Sequence, residues 1–237
     1  MAETLKRRES FRESESQAQV RALLGSCFFG ITEARRAFVH NITPAMCEAR
    51  KPVRLLARDR TTLLTEEQSW DVIRRCNEEA PGAFVCCVGF PYSVWGISQS
   101  HLGYLHPSFS DTTPWFARRE ERVAWSTARI SDTWFLLEKE AVVGSIGIAP
   151  EQQTRWLEKK HPSRIVARPE HVVYASVLCA ANTSERIRLN STGFVRTSCT
   201  TASGHNVCVG FNECGLCISE VHDQDVARYG MSCLWTS

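Results

Sequence analysis

Between Gly204 and His222 the chain reads GHNVCVGFNECGLCISEVH, with three cysteines and two histidines in one short stretch. Thiolates and imidazoles are the ligands zinc prefers, and a Cys-x-x-Cys pair, here Cys214 and Cys217, is also the core of thiol redox centres. The stretch opens three readings: a metal site, a redox site, or a surface where these residues share no chemistry.

Alternation weighs between them. A turn over residues 212–215, with Gly215 supplying the left-handed residue, pairs Phe211 with Leu216, Val209 with Ile218 and Val207 with Glu220. Side chains alternate faces along a strand, so Val207, Val209, Phe211, Leu216 and Ile218 form a core face. Cys208, Gly210, Cys217 and Ser219 fall on the other face, expected to be exposed, with Cys214 at the turn. Cys208 and Cys217 are then diagonal neighbours, roughly 7 Å apart at the backbone. Two zinc ligands must each reach within about 2.3 Å of one ion. A zinc knuckle also needs a second Cys-x-x-Cys, and none occurs. A redox pair belongs at a helix start after a strand, not across a hairpin turn. No metal or other cofactor is expected. The alternative is a zinc- or thiol-dependent enzyme using the C-terminal cysteine cluster.

The elements that must position this hairpin are legible in part. At 237 residues, 43% hydrophobic and 23% charged, the chain is an ordinary folded protein in composition. A net charge of +2, with Lys6–Arg8 offset by nearby glutamates, argues against a nucleic-acid binder. No apolar run approaches the roughly 18 residues of a membrane span, and the start lacks a signal-peptide core. A cytoplasmic location is the default expectation, with export by another route left open. Eleven cysteines, an odd number, exclude complete pairing within one chain.

Residues 1–24 read as a flexible arm or a polar helix. Thr65 with Gln68 three residues on forms a capping box for a helix over residues 65–79, with Trp70, Ile73 and Cys76 or Asn77 inward. AFVCCVGF (Ala83–Phe90) is a buried strand, so Cys86 and Cys87 read as core residues. HPSFSDTTPWF (His106–Phe116) reads as a loop, then a helix capped by Thr113 with Pro114 first and Trp115, Phe116 and Val123 inward. REERVAW reads as its solvated face. Asp132–Val142 is a strand candidate, and Pro150 starts a helix through Leu157. Pro169 begins the plainest helix, whose buried face is Val172, Val173, Ser176, Val177 and Ala180. From Gly193 the period changes to two: GFVRTSC, NVCVGF, LCISEV and YGMSCLW predict an antiparallel meander. The class is α+β, with helices packed on a short antiparallel sheet. The chain divides at residues 1–125, of unknown role, and 126–237.

The segment IVARPEHVVYASVLCAANTSERIRLNSTGFVRTS, followed by GHNVCVGFNECGLCIS and ARYGMSCLW, resembles the C-terminal half of a C-type-lectin-like domain of the formylglycine-generating-enzyme subtype. ARPEHVVYA (Ala167–Ala175) stands where that family has R-L-P-T-x-x-E-W-x-x-A, VRTS (Val195–Ser198) in the place of its W-S-S strand, and YGMSCLW in that of its closing glycine strand. The pattern over about residues 130–237 further resembles the variable proteins of diversity-generating retroelements. Their adenine-directed mutagenesis reaches Cys, His, Ser, Asp and Tyr but not Lys, Glu, Gln, Met or Trp. No lysine follows Lys160. Glu213, Glu220 and Gln224 would belong to the invariant scaffold.

The resemblance implies a non-catalytic ligand-binding protein that displays a variable surface on a lectin-like scaffold. The contact set is Cys199, His205, Cys208, Cys214, Cys217, Ser219, His222, Asp223 and Tyr229. The partner is a protein or cell-surface ligand. The enzyme relative's paired catalytic cysteines have no counterpart here, so the resemblance implies no catalytic residue.

Overall fold

The computed structural model describes residues 13–38, 42–99, 114–131, 133–182, 189, 193–213, 215–222 and 229–236. Helix α1 (Glu15–Leu24) starts at Ser14, whose hydroxyl accepts the Gln17 amide. Its Val20 and Leu24 are buried, so the described part of the residue 1–24 arm is docked on the core. Strand β1 (Phe28–Phe29), α2 (Ile31–Ala37) and α3 (Pro44–Glu48) follow.

Helix α4 (Glu66–Glu79) forms where its capping box requires. Thr65 Oγ1 accepts the Gln68 amide at 3.2 Å, and Gln68 Oε1 accepts the Thr65 amide at 2.9 Å. The continuous apolar run becomes β2 (Phe84–Val88), buried throughout, and burial pushes the Cys86 and Cys87 thiols up. Helix α5 (Val94–Ser98) is short.

The helix expected from Pro114 is broken up. A 3-10 turn at Trp115–Ala117 leads into α6 (Arg119–Glu121) and a π turn at Arg122–Ser126. Its expected cap, Thr113, and residues 106–112 of the preceding loop lie outside the described residues. A π turn adds a residue to the turn and so shifts the facing. Val123, expected inward, is 83% exposed, whereas Glu121 and Trp125 are buried.

Strand β3 (Trp134–Glu138), α7 (Pro150–Lys160) and β4 (Arg164–Val166) precede the central helix α8 (Pro169–Asn182). Every residue of α8 from Pro169 to Cys179 is buried, not one face alone. The helix packs on α2 and α5 as well as on β3, β5 (Val195–Thr200) and β6 (Asn206–Asn212), so its covered surface extends beyond one face and takes in Glu170, His171 and Ser176. Its Tyr174 hydroxyl donates to the Val88 carbonyl at 2.9 Å, and the ring stacks on Phe38 at 5.4 Å.

The remaining strands are β7 (Gly215–Val221), β8 (Gly230–Met231) and β9 (Cys233–Trp235). They complete two sheets, of order β1-β2-β3-β9-β4 and β7-β6-β5-β8, and the chain is α+β. Residue 125, the expected boundary, falls between β2 and β3 of one sheet, and one hydrophobic cluster runs from Val20 to Trp235. YGMSCLW is not the fourth strand of a meander. Its β8 pairs in parallel with β5, while β9 inserts antiparallel between β3 and β4. Ser232 between them serves both sides: its amide donates to Arg196 O and its carbonyl accepts from Ala167 N.

Candidate functional site

The hairpin carries the register that alternation predicts. Phe211 pairs with Leu216, Val209 with Ile218 and Val207 with Glu220, and Gly215 takes φ 133° at the turn. Val207, Val209, Leu216 and Ile218 are buried, and Phe211 packs against the same cluster. Cys214 at the turn and Asp223 beyond β7 lie outside the described residues.

The opposite face departs from expectation. Cys208 is completely buried, not exposed, in a small separate cluster with Val221, Phe194 and Tyr229. The chain at Gly193–Phe194 crosses this face so closely that a Cβ on Gly210 would lie 2.6 Å from Gly193 O. Phe194 and Tyr229 meet edge to face with ring centroids 6.3 Å apart. Burial pushes the Cys208 thiol up to about 12 and raises that of Cys217 as well. A thiol is a metal ligand or nucleophile only as thiolate, so burial disfavours both roles, most strongly at the fully covered Cys208. Among the described residues no three His, Cys, Asp or Glu side chains are grouped to hold a metal ion.

The structure therefore divides the expected contact set. Cys217, Ser219 and Tyr229 remain half-buried on the Cys208 side. His205 and His222 sit on the other side, at the end of the hairpin away from the turn, their ring centroids 4.0 Å apart. His205 Nδ1 stands 3.7 Å from Glu220 Oε2. Cys199 packs against the main core, its thiol raised by burial and by the Glu170 carboxylate.

The β5–β6 turn that carries His205 is tightly made. Thr201 N donates to His205 O at 2.7 Å, and Thr201 Oγ1 accepts the His205 amide at 3.0 Å. Glu121, buried on α6, braces it from outside: one carboxylate oxygen accepts the Ala202 amide at 3.0 Å, the other the Trp125 indole at 2.7 Å. Trp115 Nε1 donates to Ile218 O at 3.3 Å. REERVAW is exposed at Arg119, Glu120, Arg122, Val123 and Ala124, as a solvated face, while Glu121 and Trp125 turn inward and support the C-terminal sheet. The signal available in sequence was Glu121 four residues before Trp125, a spacing that brings side chains together on a helix.

No family model, curated protein or solved structure matches this chain. Among the described residues no helix is long and apolar enough to cross a membrane.

The burial pattern predicts thiol reactivity. In native protein at mildly alkaline pH, Cys208, Cys86, Cys87 and Cys233 should resist alkylation, while half-exposed Cys27, Cys199 and Cys217 are modified before them. Peptide mass spectrometry after timed iodoacetamide labelling checks this. Equal rates at Cys208 and Cys217 would contradict the covered face.

Proposed function

We propose that this chain is a non-catalytic binding protein whose ligand contacts lie on its C-terminal sheet, as the resemblance to variable proteins of diversity-generating retroelements implies. The observation that carries the reading is the braced β5–β6 turn with the His205–His222 pair beside it. Side chains held on a rigid, hydrogen-bonded frame lose little entropy on binding, which favours recognition. The half-buried thiol of Cys217 and hydroxyl of Ser219 offer polar contacts on the neighbouring face. The raised thiols of Cys208 and Cys217 speak against thiolate chemistry on this sheet.

The burial of Cys208 sharpens the proposal. A variable position must accept side chains of many sizes, and a fully buried one does not. Cys208 therefore leaves the contact set, while His205, Cys217, Ser219 and His222 stay.

Sequencing the gene from many independent isolates tests this. Substitutions at adenine positions should concentrate in the codons for His205, Cys217, Ser219 and His222, with Cys208 and Gly210 constant and a template copy near a reverse transcriptase gene. Uniform, mainly synonymous drift across residues 195–222 would overturn it.

A further inference from the structure

A cavity of about 380 Å³ opens where α7, β4 and β5 meet the loop after α3. That volume lies within the range of small-molecule sites. Among the described residues, four guanidinium groups line it, Arg58, Arg60, Arg164 and Arg196, with the carboxylate of Glu158. Glu138 offsets one of them through an ion pair with Arg164 at 2.7 Å, and the described lining stays net positive. Near its edge Arg58 Nη1 donates to Pro162 O at 2.6 Å and Arg60 Nη2 to Val166 O at 2.7 Å, which fixes both side chains.

Arg196 is the decisive group. Its side chain comes from β5 and is 7% exposed. Gln153 Oε1 accepts from its Nε, but its Nη2 is buried without a hydrogen-bond partner among the described residues. No carboxylate among the described residues pairs with it, and burial lowers its pKa from the usual arginine value. A buried charge without a counter-ion costs several kcal/mol. Such a cost is met when an anion completes the site.

We propose that this cavity binds a small phosphorylated molecule, its phosphate held by Arg196, Arg58 and Arg60 with the Ser198 hydroxyl at its side. A phosphate monoester brings about −1.5 to −2 charges and three acceptor oxygens at neutral pH, and guanidinium forks match those oxygens. A monocarboxylate brings one charge and two oxygens, too little for this lining. Glu158 sits against the ligand and weakens its binding. The site is separate from the His205–His222 surface, so either proposal stands if the other fails.

The test is thermal unfolding of the full chain in inorganic phosphate, pyrophosphate or citrate, ionic strength held constant with chloride. Phosphate at about a hundred times its Kd should raise Tm by about 5–10 °C for a chain of this size. Arg196→Met should abolish that rise while leaving Tm in chloride equal to or above that of the parent, because it removes an unpaired buried charge. Arg58→Gln should reduce the rise without changing Tm in chloride, and reads the site even where Arg196→Met folds poorly. Glu158→Gln should enlarge the response. No response in the parent chain, an undiminished response in Arg58→Gln, or a citrate response equal to that of phosphate would each overturn the proposal.

Discussion

Trp134→Ala is expected to lower stability by about 3–5 kcal/mol, the usual range for emptying a buried aromatic site. Trp134 is completely buried in β3. Its ring stacks on Phe28 with centroids 5.5 Å apart and planes 12° from parallel. Its Nε1 donates to Arg50 O at 3.0 Å, and its backbone pairs with Val88 on β2 and bridges to Leu55. The substitution thus removes volume shared by β1, β2 and β3 and leaves the Arg50 carbonyl with the longer hydrogen bond from Gln17 Nε2 at 3.5 Å. Folded domains of ordinary stability hold only about 5–15 kcal/mol, so the variant loses a large fraction of the total. Urea titration followed by far-UV circular dichroism measures the change. Val123→Ala is the contrast: at 83% exposure it should shift stability by no more than about 0.5 kcal/mol. Equal losses in the two variants would contradict the facing of both segments.

Gly210→Ala should be nearly as damaging, although it adds one methyl group. That Cβ would lie 2.6 Å from both Gly193 O and Phe194 Cα. These are backbone atoms and cannot rotate aside, so the crossing segment or β6 must move. Overpacking of this kind costs about 1–3 kcal/mol and more where backbone shifts. A second readout separates the mechanism from general destabilisation. Lifting Gly193–Phe194 off the sheet uncovers Cys208, whose alkylation rate should rise toward that of Cys217 under conditions where the fold persists. A variant of parental stability with Cys208 still protected would mean that the crossing is looser than described.

These two positions show what kind of information was readable beforehand. The capping box at Thr65 and Gln68 and the apolar run over β2 act within a few residues, and both elements stand where local chemistry puts them. Facing failed wherever a distant element intervened. Val123 turns outward because the π turn breaks helical spacing. α8 reads as one-sided in its own sequence, but α2, α5 and strands of both sheets together bury it from Pro169 to Cys179. In the candidate site, the pairing of His205 with His222 across the strand ends follows from register. The bracing by Glu121 and Trp115 comes from a segment far back in the chain.

In the hairpin the division is sharpest. A period of two and a glycine at the turn are enough to determine which side chains share a face, because strand pleating is a local property. Whether a face is wet depends on what crosses it. Phe194 and Tyr229 close over Cys208 from outside the paired strands, and no alternation within GHNVCVGFNECGLCISEVH reports them. The arginine-lined cavity is likewise a product of tertiary structure. Arg58, Arg60, Arg164 and Arg196 come from a loop and two strands of different sheets, and only packing of those sheets about α7 and α8 brings the four charges to one wall.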